Sequence, residues 1–357
     1  MTALEKDYGQ DPQFLGFAAS TYYYAGNWPA ATQRIAQAQS ISPNNADIAK
    51  LKRDIDRNHA DRVRADVSLI NRGDHQEIRT ELSAETQVSA NWRAGGVIRN
   101  HNLDVAPRLQ PDGTIRSQSG DVQTGEVYGI YTHDPSNYST IRLFGTENDI
   151  GVGVAHTNIN RLGITTLSAN WHEPYFGFVE GLYDNTVRDR IAVHHRWKPS
   201  NLLEIGGGLS YNQYSIDSAD DVFTSVGVEA NVSYTLQQAD PYIGIGYGLD
   251  AKYQEDNTFQ QTTGGLLYRQ LPLRSREIHS GSITVAKDFS ELTYGSLLAG
   301  YGWDRLGGNG PSIEGQIHHN IQNTNWDLGA RAYYGLDTTA SAGDDFSILN
   351  GYLQYRF

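Results

Sequence analysis

The last ten residues, "ILNGYLQYRF" (348–357), alternate strictly. Leu349, Gly351, Leu353, Tyr355 and Phe357 fall on one side, and Asn350, Tyr352, Gln354 and Arg356 on the other. A period of two is the mark of a β-strand with one apolar face. Chain ends of soluble domains are usually polar and frayed, so an apolar terminal strand needs a surface to lie against. That surface is either the second sheet of a sandwich or a lipid bilayer.

The same pattern recurs upstream. In "TELSAETQVSANWR" (80–93), Leu82, Ala84, Val88, Ala90 and Trp92 oppose Ser83, Glu85, Gln87, Ser89, Asn91 and Arg93. "VGVEANVSYT" (226–235) and "YIGIGYGLDAKY" (242–253) repeat it. Sixteen segments are predicted, running from 79–94, 96–106 and 121–133 through 138–146, 175–184 and 186–197 to 346–357. No helical stretch interrupts them, which removes βαβ architectures. Many are about 10 residues long, enough to cross a bilayer when tilted and longer than typical soluble strands.

Composition agrees with a membrane barrel. Mean hydropathy is −0.52, and no apolar run approaches the roughly 20 residues of a membrane helix. That measure does not register strands that show lipid only at every second residue. Gly (37 residues) is enriched, and Tyr (22) outnumbers Phe and Trp together (10 and 6), which suits interfacial girdles. The fold class predicted is a mainly β, 16-stranded antiparallel transmembrane β-barrel of outer-membrane porin type over 78–357, with a short N-terminal α-helical segment. The net charge of −13 disfavours nucleic acid. The polar start shows no signal peptide before Thr2, so an exported chain would make Met1 the opening of a fragment.

If the final strand descends into the periplasm, each other direction follows. The turns "TEND" (146–149), "HEP" (172–174), "KPSN" (198–201), "QQADP" (237–241), "KDFSE" (287–291) and "QNTN" (322–325) become periplasmic. The outer loops become 215–222, 254–273, 304–311 and 335–345. One stretch, 107–120, is too long for the periplasmic side on which this scheme puts it.

The first residues read differently. "PQFLGFAASTYYYAGNWPAATQRIAQAQSISPNN" (12–45) fits a tetratricopeptide unit over 1–45. Small residues Ala19, Ala31 and Ala38 stand where two helices approach, Tyr22 takes the aromatic position and Ile35 the groove. Gly26 ends the first helix and Pro43 closes the unit. A capping helix is predicted over 46–77, with Ile48, Leu51, Ile55 and Val63 as its apolar stripe.

A barrel of sixteen strands leaves an aqueous channel, so inward residues should be polar. The expected pore-lining set is Glu85, Arg93, Glu126, Arg188, Arg190, Arg196, Glu204, Glu229, Asp250, Lys252, Glu314, Asp327, Arg331 and Arg356, with His194 beside them. Both signs of charge occur, as suits a hydrated ligand that slides without a deep well. Acidic outer loops, and with them a gate, are expected at Asp217, Asp220, Asp221, Glu255, Asp256, Asp304, Asp337, Asp344 and Asp345. The first gate candidate is 254–273 and the second 343–345. No catalytic motif, cofactor site or metal site is expected. The pairs His194–His195 and His318–His319 point to opposite faces of their strands and cannot chelate one ion.

A tetratricopeptide unit, a joining helix and a C-terminal sixteen-stranded porin resemble the outer-membrane exporters of synthase-dependent exopolysaccharide systems. The repeat at 12–45 and the terminal "YLQYRF" carry the likeness, and "PLRSREIHSGSITVAKDF" (272–289) looks like the strand that descends after the long loop of such porins. The terminal Phe357 also resembles the signal read by the outer-membrane assembly machinery. Within the group the sequence looks most like exporters of the cationic Pel polysaccharide; exporters of cellulose and of poly-N-acetylglucosamine share the same motifs. The resemblance implies an exopolysaccharide substrate, outer-membrane lipids as surroundings, helices in the periplasm, and two partners: a small lipoprotein ring and a periplasmic deacetylase, the latter through repeats mostly missing here. A general diffusion porin is the rival reading; it would need no repeat domain.

Overall fold

The computed structural model describes residues 8–24, 27–89, 91–110, 112–134, 136–175, 177, 181, 184–216, 219–257, 260–268, 273–322, 324–336 and 345–357. Three helices come first: α1 (Pro12–Tyr24), α2 (Trp28–Ile41) and α3 (Ala46–His59). The Asn27 side chain caps α2 by accepting from the Ala30 amide, and that of Asn45 caps α3 by accepting from Asp47 and Ile48. Leu15, Ala19, Ala31, Ile35, Ala38, Ile48 and Ile55 are buried between them, with Tyr22 and Leu51 packed alongside. The small residues therefore stand where the helices touch. Gly26 lies outside the described residues.

The rest is a closed antiparallel barrel of sixteen strands. In order these are β1 (Arg62–Arg72), β2 (His75–Gln87), β3 (Trp92–Leu109), β4 (Ile115–Asp134), β5 (Asn137–Thr146), β6 (Ile150–Asn160), β7 (Gly163–Pro174), β8 (Val187–Trp197), β9 (Leu203–Ile216), β10 (Ala219–Gln237) and β11 (Tyr242–Asn257). After a two-residue hairpin, β12 (Gln260–Gln261) and β13 (Leu267–Tyr268), which stands outside the wall, come β14 (Arg276–Ser290), β15 (Thr293–Asp304), β16 (Asn309–Asn320), β17 (Trp326–Leu336) and β18 (Asp345–Arg356). β1 pairs with β18 from Arg62 opposite Arg356 to Arg72 opposite Phe346, and this seam leaves no open edge.

Two expectations fail here, and they offset each other in the strand count. The capping helix predicted over 46–77 ends at His59, and 62–72 is the first strand. Val63 had extended the helical stripe, but Val63, Ala65, Val67 and Leu69 alternate with Arg62, Arg64, Asp66 and Ser68 at strand period. Pairing on both sides settles the choice, because β1 is what closes the ring. Conversely, no strand occupies the described part of 175–184; β7 ends at Pro174 and β8 begins at Val187.

These two changes invert every strand from 79 to 172. "TEND" and "HEP" move to the end of the barrel far from the helices, the distal end. The stretch 107–120 also becomes distal: it is an overhanging β3–β4 hairpin with a tight turn at Asp112–Gly113, which resolves its unexpected length. "KPSN", "QQADP", "KDFSE" and "QNTN" keep to the helix end.

One face of the wall is an apolar belt open at its surface. Leu69, Leu82, Ile98, Val127, Ile191, Leu209, Ile283, Leu297, Leu349 and Leu353 are all exposed large hydrophobics. Aromatic pairs rim it: Trp92 with Tyr131 and Trp326 with Tyr355 at the helix end, and Trp303 stacked on His279 at the distal end. A closed ring with this outer face satisfies its backbone and offers hydrocarbon a mainly apolar belt, which makes it a transmembrane barrel.

Candidate functional site: the channel and its covered mouth

Following the register around the ring puts Glu85, Arg93, Glu126, Arg188, Arg190, His194, Arg196, Glu204, Glu229, Asp250, Lys252, Glu314, Asp327, Arg331 and Arg356 on the face opposite the apolar belt. Most of them have ionic partners on neighbouring strands. Arg93 meets Glu85 at 2.9 Å and Arg188 meets Glu173 at 2.8 Å. Arg276 meets Asp250 at 2.6 Å, Arg331 meets Glu314 at 2.7 Å, and Arg356 meets Asp327 at 2.6 Å. Looser approaches join Arg142 to Glu126 (3.6 Å), His194 to Glu229 (3.5 Å) and Lys198 to Glu204 (3.8 Å). Lys252 donates to the Tyr214 hydroxyl at 3.1 Å.

Several members of this polar face escaped the sequence reading. Arg62, Arg64 and Asp66 were hidden by the helical assignment, although their alternation with Val63, Ala65 and Val67 could have revealed them. Arg99 bonded to Glu81 (2.7 Å) and the buried His101 bonded to Glu77 (2.7 Å) sit one register step further along β2 and β3. The opposite arc is different. From β9 to β15 the same face carries Gly206, Gly208, Ser210, Ser233, Gly244, Gly246, Gly248, Ser280, Ser282, Ser296 and Gly300 between its few charges. One side of the wall is thus braced by ion pairs and the other is smooth and hydroxylated.

At the distal end, chain folds across the opening. Tyr175, just after β7, packs with Tyr214, Ile216, Phe223 and Leu273 in a buried cluster, its ring 5.0 Å from that of Tyr214 and nearly perpendicular to it. The Arg188 guanidinium lies over Tyr175. From this anchor the connection reaches β1 and β3: Arg72 donates to the Gly177 carbonyl, and Arg108 donates to both Asp184 carboxylate oxygens at 2.8 Å. The longer connection between β11 and β14 crosses further. Its β12–β13 hairpin carries Thr263, whose hydroxyl donates to the Asp112 carbonyl at 3.1 Å in the β3–β4 turn. β11 and β3 stand eight places apart in the ring, half of sixteen, so this contact spans the whole mouth.

The acidic set divides. Asp304 is buried at the end of β15, accepts from the Glu277 and Leu306 amides and pairs with Arg274 at 3.3 Å, so it braces a turn. It is not the open mouth charge expected. Glu255 lies exposed on β11 and Asp345 exposed at the start of β18. Asp220 and Asp221 lie on β10 and Asp256 on β11. Asp217, Asp337 and Asp344 lie outside the described residues, as does most of the second gate candidate.

At the other end the helices are tied to the rim. Arg93 donates to the His59 carbonyl at 2.6 Å, and its guanidinium lies over the Trp28 ring. Trp28 stacks on His59 at 5.1 Å, and Tyr23 meets His59 edge-on. Burial, followed by the Arg93 and Arg62 charges, lowers the His59 pKa from 6.5 to about 4. A docked His59 therefore resists a proton that a released one accepts. Docking is at full strength above about pH 6.5 and weakens as pH falls toward 4, by about 1–2 kcal/mol once partial exposure is allowed for. Hydrogen exchange should show α1–α3 losing protection across that interval in the wild type but not in His59→Phe. Equal protection at both ends of the interval in the wild type would remove the linkage.

No protein-family model matches the chain, and no curated protein matches it in sequence. Among solved structures, a bacterial polysaccharide outer membrane secretin is similar, with a TM-score of 0.58 and 10% identity, covering 84% of this chain and 98% of that one. OccAB3 of Acinetobacter baumannii (TM-score 0.43, 7% identity, 84% of this chain and 99% of that one) and OmpF of Salmonella typhi (0.42, 8%, 83% and 97%) are also similar. At these identities the likeness is one of fold. The chain is a sixteen-stranded barrel of the outer-membrane porin type, with a helical segment at its N-terminal end.

Proposed function

We propose that this barrel is an outer-membrane export channel for an exopolysaccharide, most closely of the Pel type, with its helices in the periplasm and its covered mouth outside. The observation that carries the reading is the crossing of the distal mouth by the Thr263–Asp112 contact. A wide polymer channel must be shut when idle, whereas a diffusion porin must stay open. The polar wall supports the same reading: charges already paired with each other offer a passing chain many weak contacts and no trap. A lipoprotein ring would surround the barrel base on the side of the helices.

Export is tested in cells that synthesise the polymer but lack their own exporter. Expression of the chain should restore polymer outside the cell. A diffusion porin would instead admit small sugars in a liposome-swelling assay and restore no polymer.

A further inference from the structure

Between α1 and the rim of the barrel lies a cleft of about 870 Å³. On the helix side it is lined by Phe17, Ser20, Thr21, Tyr23 and Tyr24, and on the barrel side by the β6–β7 and β8–β9 turns together with Arg196 and Glu204. The helices are tied down at β3 through Arg93, and this opening falls three to six places further around the ring. Arg196 and Glu204 stand on the polar face of the wall, so the cleft borders the lumen.

We propose that this cleft is a glycan subsite through which polymer is fed to the lumen, and that it takes uncharged, N-acetylated hexosamine units. The proposal rests on the export reading and names the part of the polymer that the intake end recognises. Phe17, Thr21 and Tyr24 form one stripe of α1 turned away from the helical core. Phe17 and Tyr24 are 66% and 73% exposed at spacing i, i+7, so both rings face the cleft from one side of the helix. A pyranose suits them: its C–H face stacks on an aromatic ring while its rim seeks amides and hydroxyls. Ser20, Asn160, Asn201 and Gln238 line the same space.

Charge then selects among sugars. The cleft presents Arg161, Arg196 and Lys198 against the single carboxylate Glu204, which Lys198 already approaches at 3.8 Å. A protonated amino sugar is repelled there; its N-acetyl form is not. A partly deacetylated polymer would therefore be held at the intake by its acetylated units, and pass its cationic units along the paired charges of the wall.

The test is calorimetric titration of the whole chain in detergent at pH 6, with the hexamer of N-acetylglucosamine and the hexamer of glucosamine as probes. The acetylated hexamer should bind at least about threefold more tightly. Phe17→Ala with Tyr24→Ala should weaken it about tenfold or more. Arg161→Glu with Lys198→Glu should reverse the preference while binding persists, and heat-modifiable migration shows whether each variant keeps its barrel. Failure of both hexamers to bind the wild type, tighter binding of the deacetylated one, or an unchanged affinity in the double alanine variant each overturns the subsite. Restored export by a wild-type chain that binds neither hexamer would discard the subsite and leave the channel standing.

Discussion

Deleting residues 258–272 and joining Asn257 to Leu273 through a short Gly-rich turn should convert a silent barrel into one with large, discrete conductance steps in a planar bilayer. The removed segment contains the β12–β13 hairpin and the Thr263 contact that reaches the far side of the ring. Its described residues contribute nothing to the wall, because β11 pairs directly with β14 from Tyr242 opposite Ala286 to Lys252 opposite Arg276. The barrel should therefore keep its fold while losing a cover. Sixteen strands enclose an aqueous channel, so conductance should rise roughly tenfold or more over any residual leak. The second crossing, anchored by Tyr175 and tied by Arg108 to Asp184, should hold the increase below that of an unobstructed porin. Breaking it as well with Arg108→Ala should raise conductance further. A deletion variant that folds and conducts no better than the wild type would show that this loop is not the cover.

The terminal strand was legible because its two faces are chemically distinct: Leu349 and Leu353 are exposed on one side, and Gln354 is buried on the other. Strand directions after residue 186 followed from it, and so did the location of the long crossing loop. The other end of the ring was obscured at 46–77. Ile48, Leu51 and Ile55 are at helical spacing and pack as helix, and Val63 happens to continue the same stripe. Only the alternation of charged and apolar residues past Asp61 marks the change, and only pairing with β18 fixes it. The segment 175–184 misled for a related reason. Its aromatic content resembles a strand, yet Tyr175 is buried among distal side chains. The charges of the wall were identifiable one by one from alternation. Their partners were not, since a cross-strand pair depends on register, and register was wrong wherever the directions were inverted.

Register also places a buried ion pair beside the closing seam. Asp327 on β17 is fully buried; it pairs with Arg356 at 2.6 Å and accepts from Gln354 at 3.3 Å, both on β18. Arg356 is itself 13% exposed at its side chain, and its amide donates to the Asn325 carbonyl. Asp327→Ala should leave that guanidinium buried without its carboxylate and destabilise the folded barrel by about 3–5 kcal/mol. Asp327→Ala combined with Arg356→Leu should recover much of the loss, because the penalty comes from the stranded charge more than from the missing bond. Urea titration in lipid vesicles, followed by loss of heat-modifiable migration, measures both. Single and double variants within about 0.5 kcal/mol of the wild type would mean that lumen water replaces the pair, and that the seam draws its strength from the β1–β18 ladder alone.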